Sequence, residues 1–229
     1  MLGNELVMVV NPDPEGDLND ITTLAGLEKS ITGMTNDGDP VGSTFAPLML
    51  MSKKQTRNSV KLTWKGISGA TGYILYGNQC GKGKKFQRLA ELTGNAKTWN
   101  MTGLKKGTYH KVTIVAYQIV NGQKKIIGAA KTIHVATKGG KNGNYGKVKP
   151  SKKKLSLKVK KSAKIKVTQV KAKGVKKVKK HRKVVYESSN TKVATVDKKG
   201  KVKAVKKGKC VIYAYAQNGI FGKVTVTVK

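Results

Sequence analysis

The chain has 229 residues, of which 38% are hydrophobic, and this is enough for two modest domains that each bury a core. No run of about eighteen apolar residues occurs, which excludes a transmembrane segment. The formal net charge of +36 is unevenly placed, because residues 1–50 carry one lysine and eight acidic residues whereas residues 51–229 carry 46 basic and three acidic residues.

Lysine dominates this cationic body, which predicts attraction to polyanions through long-range Coulomb forces. The chain has only three arginines, Arg57, Arg88 and Arg182. Proteins that read nucleic-acid sequence favour arginine, because its planar fork matches guanine edges and phosphates, so no specific nucleic acid is predicted as a partner. Two interpretations remain open: a surface that binds an anionic polymer, and a coat that keeps the protein soluble and its sheet edges unpaired.

Residues 1–42 are predicted to form a mostly irregular acidic leader. One short helix is predicted within it, over Asp17–Ile31, and its N-cap would be an acidic or amide residue at its start. The candidate caps are Asp17, Asn19 and Asp20, and the apolar residues on one helix face are Ile21, Leu24, Leu27 and Ile31.

Two motifs in the leader are weighed against simpler explanations. Residues 11–22 partly follow a calcium-binding loop, but Thr22 stands where a bidentate glutamate belongs, so an acidic linker is preferred. The beginning of the chain lacks a basic region followed by a long apolar stretch. Either a signal peptide lies on a longer parent chain or the protein is not exported.

Residues 43–138 contain seven short segments of alternating apolar and polar residues, which is the spacing of an immunoglobulin-like sandwich. Three features go further: Trp64 at the end of Val-Lys-Leu-Thr-Trp, Tyr73 in Thr-Gly-Tyr-Ile-Leu-Tyr, and the corner Leu104-Lys-Lys-Gly-Thr-Tyr109. In type and order they resemble a fibronectin type III domain. This resemblance implies that Trp64 lies on the second strand and fills the core, and that Tyr73 follows on the third strand.

Residues 139–149 are rich in glycine, asparagine and lysine and are predicted to form a flexible hinge. A second series of strands is predicted over residues 150–229. Its marks are a turn Ser188-Ser-Asn190, a strand Ala194-Thr-Val196, a hairpin Gly200-Lys-Val202, a turn Lys207-Gly208 and a closing Val224-Thr-Val226. This stretch resembles a bacterial immunoglobulin-like domain of group 2.

The predicted fold class is therefore all-β, with two immunoglobulin-like β-sandwiches in tandem after the leader. The pair resembles the modules that close many large extracellular proteins of gut-type Gram-positive bacteria. The resemblance implies a secreted or cell-surface location and upstream domains on a longer parent chain.

No catalytic, cofactor-binding or metal-binding site is predicted. The three histidines, His110, His134 and His181, share no short spacing with one another or with an acid or cysteine. Cys80 and Cys210 fall in different predicted domains. The chain is accordingly predicted not to be an enzyme.

Two groups of side chains remain as candidate binding surfaces. A lysine-rich loop is the candidate polyanion-binding site, although a solvated loop is the simpler explanation. Two tyrosines that alternate with the inward residues Cys210, Ile212, Ala214 and Ala216 form a candidate aromatic surface, and packing against lysine stems or the neighbouring domain is its simpler explanation. The polyanion set is Lys171, Lys173, Lys176, Lys177, Lys179, Lys180, Arg182 and Lys183, and the aromatic pair is Tyr213 and Tyr215.

The resulting functional hypothesis is a non-catalytic adhesion or display module of a secreted bacterial surface protein. Its lysines would hold the parent noncovalently on an anionic cell-wall polymer, such as a teichoic acid, or on a host or surface glycan. The alternative is a passive spacer that supports an upstream enzymatic or carbohydrate-binding domain. A nucleic-acid-binding role is the third and least favoured hypothesis.

Overall fold

The computed structural model describes residues 22–35 and 38–229, which form seventeen strands and one helix. The predicted all-β class is confirmed. Residues 11–21 of the calcium-like loop and the predicted helix residues before Thr22 lie outside the described residues. Within the described residues, no helix is long and apolar enough to span a lipid bilayer.

The first sandwich consists of two sheets. The smaller sheet has the order β1-β2-β5, and the larger has the order β4-β3-β6-β7, with β8 also paired to β6. Their bounds are β1 Met51–Gln55, β2 Val60–Thr63, β3 Gly72–Gln79, β4 Gln87–Thr93, β5 Thr98–Met101, β6 Tyr109–Val120, β7 Gln123–Ala129 and β8 Ile133–Ala136.

The core of this sandwich follows from strand periodicity, because alternate side chains point to the same face. Val60 and Leu62 on β2 are fully buried against Val112 and Ile114 on β6. Trp64 is buried, as the resemblance implied, and its ring meets that of Tyr73 edge-on at 5.6 Å between centroids. Tyr73 also accepts a hydrogen bond at its hydroxyl from the Ile67 N–H, which satisfies the polar end of a fully buried side chain.

The predicted leader helix exists but begins later than expected, at Leu24, and ends at Thr32 (α1). Thr23, not one of the three predicted residues, is its N-cap: it is extended and its Oγ1 accepts a hydrogen bond from the Gly26 N–H at 3.2 Å. A bridge between Thr23 and Lys125 of β7 holds the helix start on the larger sheet. Leu24 and Ile31 pack on the outer face of that sheet, so this part of the leader is an additional layer of the first domain.

The second sandwich has sheets of order β10-β17-β16-β13, β11-β15-β14 and β12-β9, with β10 parallel to β17. Its core is aliphatic and includes the inward-facing Cys210 and Ile212, as predicted. The bounds are β9 Tyr145–Pro150, β10 Lys154–Leu157, β11 Ser162–Lys164, β12 Val167–Lys171, β13 Val185–Ser188, β14 Ala194–Val196, β15 Lys201–Ala204, β16 Gly208–Tyr215 and β17 Phe221–Val228.

The last part of the segment predicted as a hinge, residues 145–149, belongs to a strand of the second domain. β9 pairs with β12 in an antiparallel ladder, and its Val148 is buried beside Ala214 and Ile220. The sequence conceals this strand because Val148 is its one aliphatic residue, and lysines flank it on both sides.

Candidate anion-binding groove at the domain junction

A turn of the second domain joins the two sandwiches. Asn218 lies in the turn between β16 and β17 and is completely buried. Its carbonyl accepts a hydrogen bond from the Ser52 N–H at 3.1 Å, and its side-chain amide donates to the carbonyls of Ser52 and Tyr145. The neighbouring Gln217 carbonyl accepts from the His134 N–H at 2.7 Å. The turn is therefore hydrogen-bonded to both β1 and β8 of the first domain.

Gly219 permits this close approach. Its φ of +77° lies in the left-handed region, and a Cβ there would lie 2.1 Å from the Leu50 carbonyl oxygen. Any other residue would both strain the backbone and collide with the first domain.

The two candidate tyrosines belong to the same junction and do not form an open aromatic platform. Tyr215 is 5% exposed, and its ring stacks on Phe45 at 4.2 Å between centroids, with an angle of 9° between the planes. Tyr213 and Phe221 also contact Phe45. Burial raises the pKa of the Tyr215 hydroxyl. Strand periodicity gives the outward direction of these side chains but not the neighbour that covers them.

Two carboxylates reinforce the junction. Glu187 of β13 accepts hydrogen bonds from the backbone N–H groups of Phe45, at 2.7 Å, and Ala46, at 2.9 Å. Asp39 accepts from the Arg182 guanidinium at 2.8 Å, and the same Nη1 also donates to the Thr132 carbonyl at 3.1 Å. Arg182 therefore connects the two domains, and its guanidinium is engaged by Asp39 and the Thr132 carbonyl.

The lysine-rich loop lies against the segment that connects the domains. The Gly143 N–H donates to the Lys177 carbonyl at 2.9 Å, and the Ala172 N–H donates to the Asn144 carbonyl at 3.0 Å. Asn144 is buried, and its amide donates to the Ala136 carbonyl at 2.7 Å. These hydrogen bonds hold the segment that connects the domains and the lysine-rich loop side by side.

A groove of about 440 Å³ lies between the connection and the loop. A second depression of about 550 Å³ adjoins it and shares Gln55 and Lys138 in its lining. The two depressions together are called the junction groove here. Its lysines are Lys53, Lys54, Lys61, Lys138, Lys141, Lys173 and Lys176.

The carboxylates of the two sandwiches are engaged away from the junction groove. Asp197 accepts hydrogen bonds from the backbone N–H groups of Lys201 and Lys199, and these bonds lower its pKa. Partial burial opposes ionisation of Glu91, but hydrogen bonds from Tyr117 and Lys124 outweigh it and lower the pKa of that carboxyl. The acidic groups therefore serve local structure, and the lysine field at the groove is left to attract external anions.

The structure divides the predicted polyanion set. Lys173 and Lys176 line the junction groove. Lys171 lies next to it and donates to the Lys176 carbonyl at 2.8 Å. The remaining lysines of the set, Lys177, Lys179, Lys180 and Lys183, are exposed but are not part of the groove lining.

Sequence reasoning missed the groove lysines that come from the first domain and from the connection, among them Lys53 and Lys138. They are separated from the loop in the chain and meet it only through the domain junction. The groove thus combines ammonium groups on flexible stems with amide, hydroxyl and glycine backbone groups. Such a lining binds anions by charge and hydrogen bonding.

The structure also brings together three ligand-type side chains that the sequence keeps far apart. Cys80, His134 and His181 each offer one ligand atom, and these atoms lie within 4.8 Å of one another. These three residues share no short spacing in the sequence, and only the fold brings them together.

Comparison with known proteins supports the organisation of the second domain. Residues 142–228 match the family described as bacterial Ig-like domain (group 2), which confirms the resemblance stated for this part of the chain. The match begins within the segment that the sequence predicted as a hinge. The comparison with curated proteins gave no match.

Two solved structures are similar to part of the chain. One is titled "Myokine structure", at 14% identity and a TM-score of 0.35, and covers 41% of this chain and 97% of its own. The other is the FN5 domain of Drosophila Lar, at 20% identity and a TM-score of 0.31, and covers 40% of this chain and 92% of its own.

Proposed function

We propose that this chain is a non-catalytic module of a secreted bacterial surface protein, and that its junction groove holds the parent protein on an anionic cell-wall polymer. The observation that carries the proposal is the convergence of lysines from both domains and from the connection on two depressions that share Gln55 and Lys138 in their lining. The match of residues 142–228 to a bacterial immunoglobulin-like family, whose members are typically extracellular and non-catalytic, supports the cellular setting.

The charge chemistry fits a phosphate-bearing polymer. A single exposed ammonium–phosphate contact contributes little, because water and salt screen it. Several contacts along one chain of phosphates add, because each bound phosphate raises the local concentration of the next. An extended groove therefore binds a polymer far better than a free phosphate ion.

The proposal is tested by cosedimentation of the purified chain with Gram-positive cell walls. Intact walls and walls stripped of teichoic acid are compared over a series of salt concentrations. The proposal expects binding to intact walls that falls steeply with salt and disappears on stripping.

Two other outcomes would overturn it. If the protein stays in the supernatant with intact walls at low salt, wall attachment fails and the spacer role replaces it. If stripped walls bind as much protein as intact walls, the polymer is not the ligand.

The spacer role is the second candidate function, and the junction is the observation that favours it. The buried turn around Asn218 and the bonds of Glu187 fix one domain on the other, as a rigid support requires. The same cosedimentation experiment distinguishes the two functions, since a spacer need not bind walls.

A further inference from the structure

We propose that Cys80, His134 and His181 bind a thiophilic transition-metal ion of the Zn²⁺ class at the domain junction. Their three ligand atoms lie within 4.8 Å of one another. In a tetrahedral zinc site, with bonds of about 2.0–2.3 Å, ligand atoms lie roughly 3.3–3.7 Å apart. A contraction of at most about 1.5 Å would therefore bring the cluster to bonding geometry.

The ligands come from both domains. Cys80 follows β3 and His134 lies on β8 of the first domain, whereas His181 lies in the lysine-rich loop of the second. A bound ion would thus connect the domains directly. Metal binding would be coupled to the stability of the junction, because an ion that binds the joined state and not the separated one stabilises the joined state.

Hydrogen bonds hold the backbone of each ligand. The Gln217 carbonyl accepts from the His134 N–H at 2.7 Å, and its side-chain oxygen accepts from the His181 N–H at 2.8 Å. The Cys80 N–H donates to the Tyr109 carbonyl at 2.8 Å. One glutamine therefore fixes the backbone of both histidines, so that only side-chain adjustments remain when an ion binds.

The imidazole rings indicate which ligand moves. The rings of His134 and His181 are stacked, with centroids 5.1 Å apart and planes 9° apart, and the Tyr109 ring lies 4.6 Å from that of His181. Since the nitrogen lone pairs lie in the ring planes, one ring turns when both bind the same ion. His134 is fully buried, whereas His181 is half-buried on a loop, so His181 is the ring that turns.

The donor set selects the class of ion. One thiolate and two imidazoles suit Zn²⁺, Co²⁺ and copper, whereas Mg²⁺ and Ca²⁺ prefer oxygen ligands. An adjoining cleft of about 450 Å³ is lined by Cys80 and His181 together with Lys82 and Lys179. This cleft gives a fourth ligand, such as water or an anion drawn by the two lysines, access to the ion.

A buried lysine on the strand beside His134 has its own partners. Lys111 lies opposite His134 in the β6–β8 ladder and is 1% exposed. Its ammonium group donates to the Lys84 carbonyl and lies over the Phe86 ring, 4.5 Å from the centroid. The negative charge of the Cys80 thiolate would offset the positive charge of the metal ion and of the nearby lysines. Cys80 is therefore the ligand on which binding should depend most.

The experiment uses the full chain, reduced and freed of metal with a chelator, and Co²⁺ as the probe. We expect a thiolate-to-cobalt charge-transfer band and tetrahedral ligand-field bands that saturate at one equivalent and that Zn²⁺ abolishes. Cys80→Ala should lose the charge-transfer band, and His181→Ala should weaken Co²⁺ binding at least about tenfold. Circular dichroism establishes that each variant is folded.

Matched variants separate the site from general effects. Cys210→Ala removes the other thiol, in the core of the second domain, and His110→Gln removes the third histidine, so both should keep the wild-type bands. The proposal is overturned if the wild-type protein gives no thiolate band, if the band survives in Cys80→Ala, or if His181→Ala binds Co²⁺ as tightly as wild type. The metal ligands are not groove lysines. A failure of wall binding would therefore leave the metal site untouched, and a failure of metal binding would leave the wall-binding proposal untouched.

Discussion

The two sandwiches share an architecture but differ in how they bury their side chains. The first packs Trp64 and Tyr73 inside its core and adds a helix on the outer face of its larger sheet. The core cluster of the second consists of small aliphatic residues and Cys210. Its Tyr215 and Phe221 lie instead at the junction, around Phe45 of the partner domain.

This difference shows where the second domain obtains its stability. Aromatic side chains bury large apolar areas, and in the second domain part of that area is buried only when the first domain is present. The junction is therefore part of the hydrophobic structure of the second sandwich, whereas the first sandwich has a large core of its own. It follows that junction changes should affect the second domain more than the first.

The largest expected effect comes from the core of the first sandwich. Trp64→Ala should lower its free energy of unfolding by about 3–5 kcal/mol, because the change leaves a large cavity. Chemical denaturation followed by circular dichroism measures the loss. Trp64→Phe is the milder control, and equal losses for the two variants would mean that the indole does not fill the core as described.

The next effect concerns the junction. Asn218→Ala removes two side-chain hydrogen bonds to the carbonyls of Ser52 and Tyr145, which should cost about 2–3 kcal/mol. We expect calorimetry to show the second domain melting earlier and apart from the first. Asn95→Ala, on an exposed loop, is the matched control. Melting of the Asn218 variant at the wild-type temperature would contradict a junction that stabilises the second domain.

A smaller effect is expected at Glu187. Its carboxylate accepts from the N–H groups of Phe45 and Ala46, and Glu187→Gln keeps one oxygen acceptor but loses the charge. Glu187→Gln should lower the free energy that holds the two domains together by about 1–2 kcal/mol. Calorimetry with Lys183→Gln as an exposed control tests it, and no difference between the two variants would show that these bonds contribute nothing.

The smallest effect is a pH dependence in the first sandwich. Burial lowers the pKa of His110 in the folded state, so the unfolded chain takes up a proton first as the pH falls. The contribution of His110 to the free energy of unfolding is therefore fully present above its unfolded-state pKa of about 6.5, and it decreases as the pH falls below that value. Thermal melting between pH 7.5 and 5.5 should show a steeper loss for wild type than for His110→Gln, and parallel curves would contradict it.

The sequence predicted what depends on local alternation. Trp64 and Ile212 face the cores because neighbouring side chains on a strand point to opposite faces, and Leu24 and Ile31 face the sheet because helical periodicity places them together. These signals need only nearby residues, so they are readable without a structure.

Features that depend on the contact between the domains could not be predicted from the sequence. Tyr215 points outward from its own sandwich, as predicted, yet Phe45 covers it. Lys138 and Lys173 meet in one groove, and Cys80 approaches His181, only because the turn at Asn218 sets one domain on the other. Residues that are distant in the chain carry no local signal of such proximity.

The most direct test of the central claim compares two variants that remove the same charge from different places. The first variant replaces four groove residues by glutamate: Lys138, Lys141, Lys173 and Lys176. The second replaces four exposed residues outside the groove lining by glutamate: Lys152, Lys153, Lys160 and Lys161. Affinity for purified teichoic acid is measured by calorimetry at several salt concentrations. A junction groove that binds the polymer predicts a large loss of affinity and a shallower salt dependence for the first variant, with a small loss for the second. Equal losses in the two variants would show that the lysines attract polyanions only as a diffuse coat, and would contradict the account.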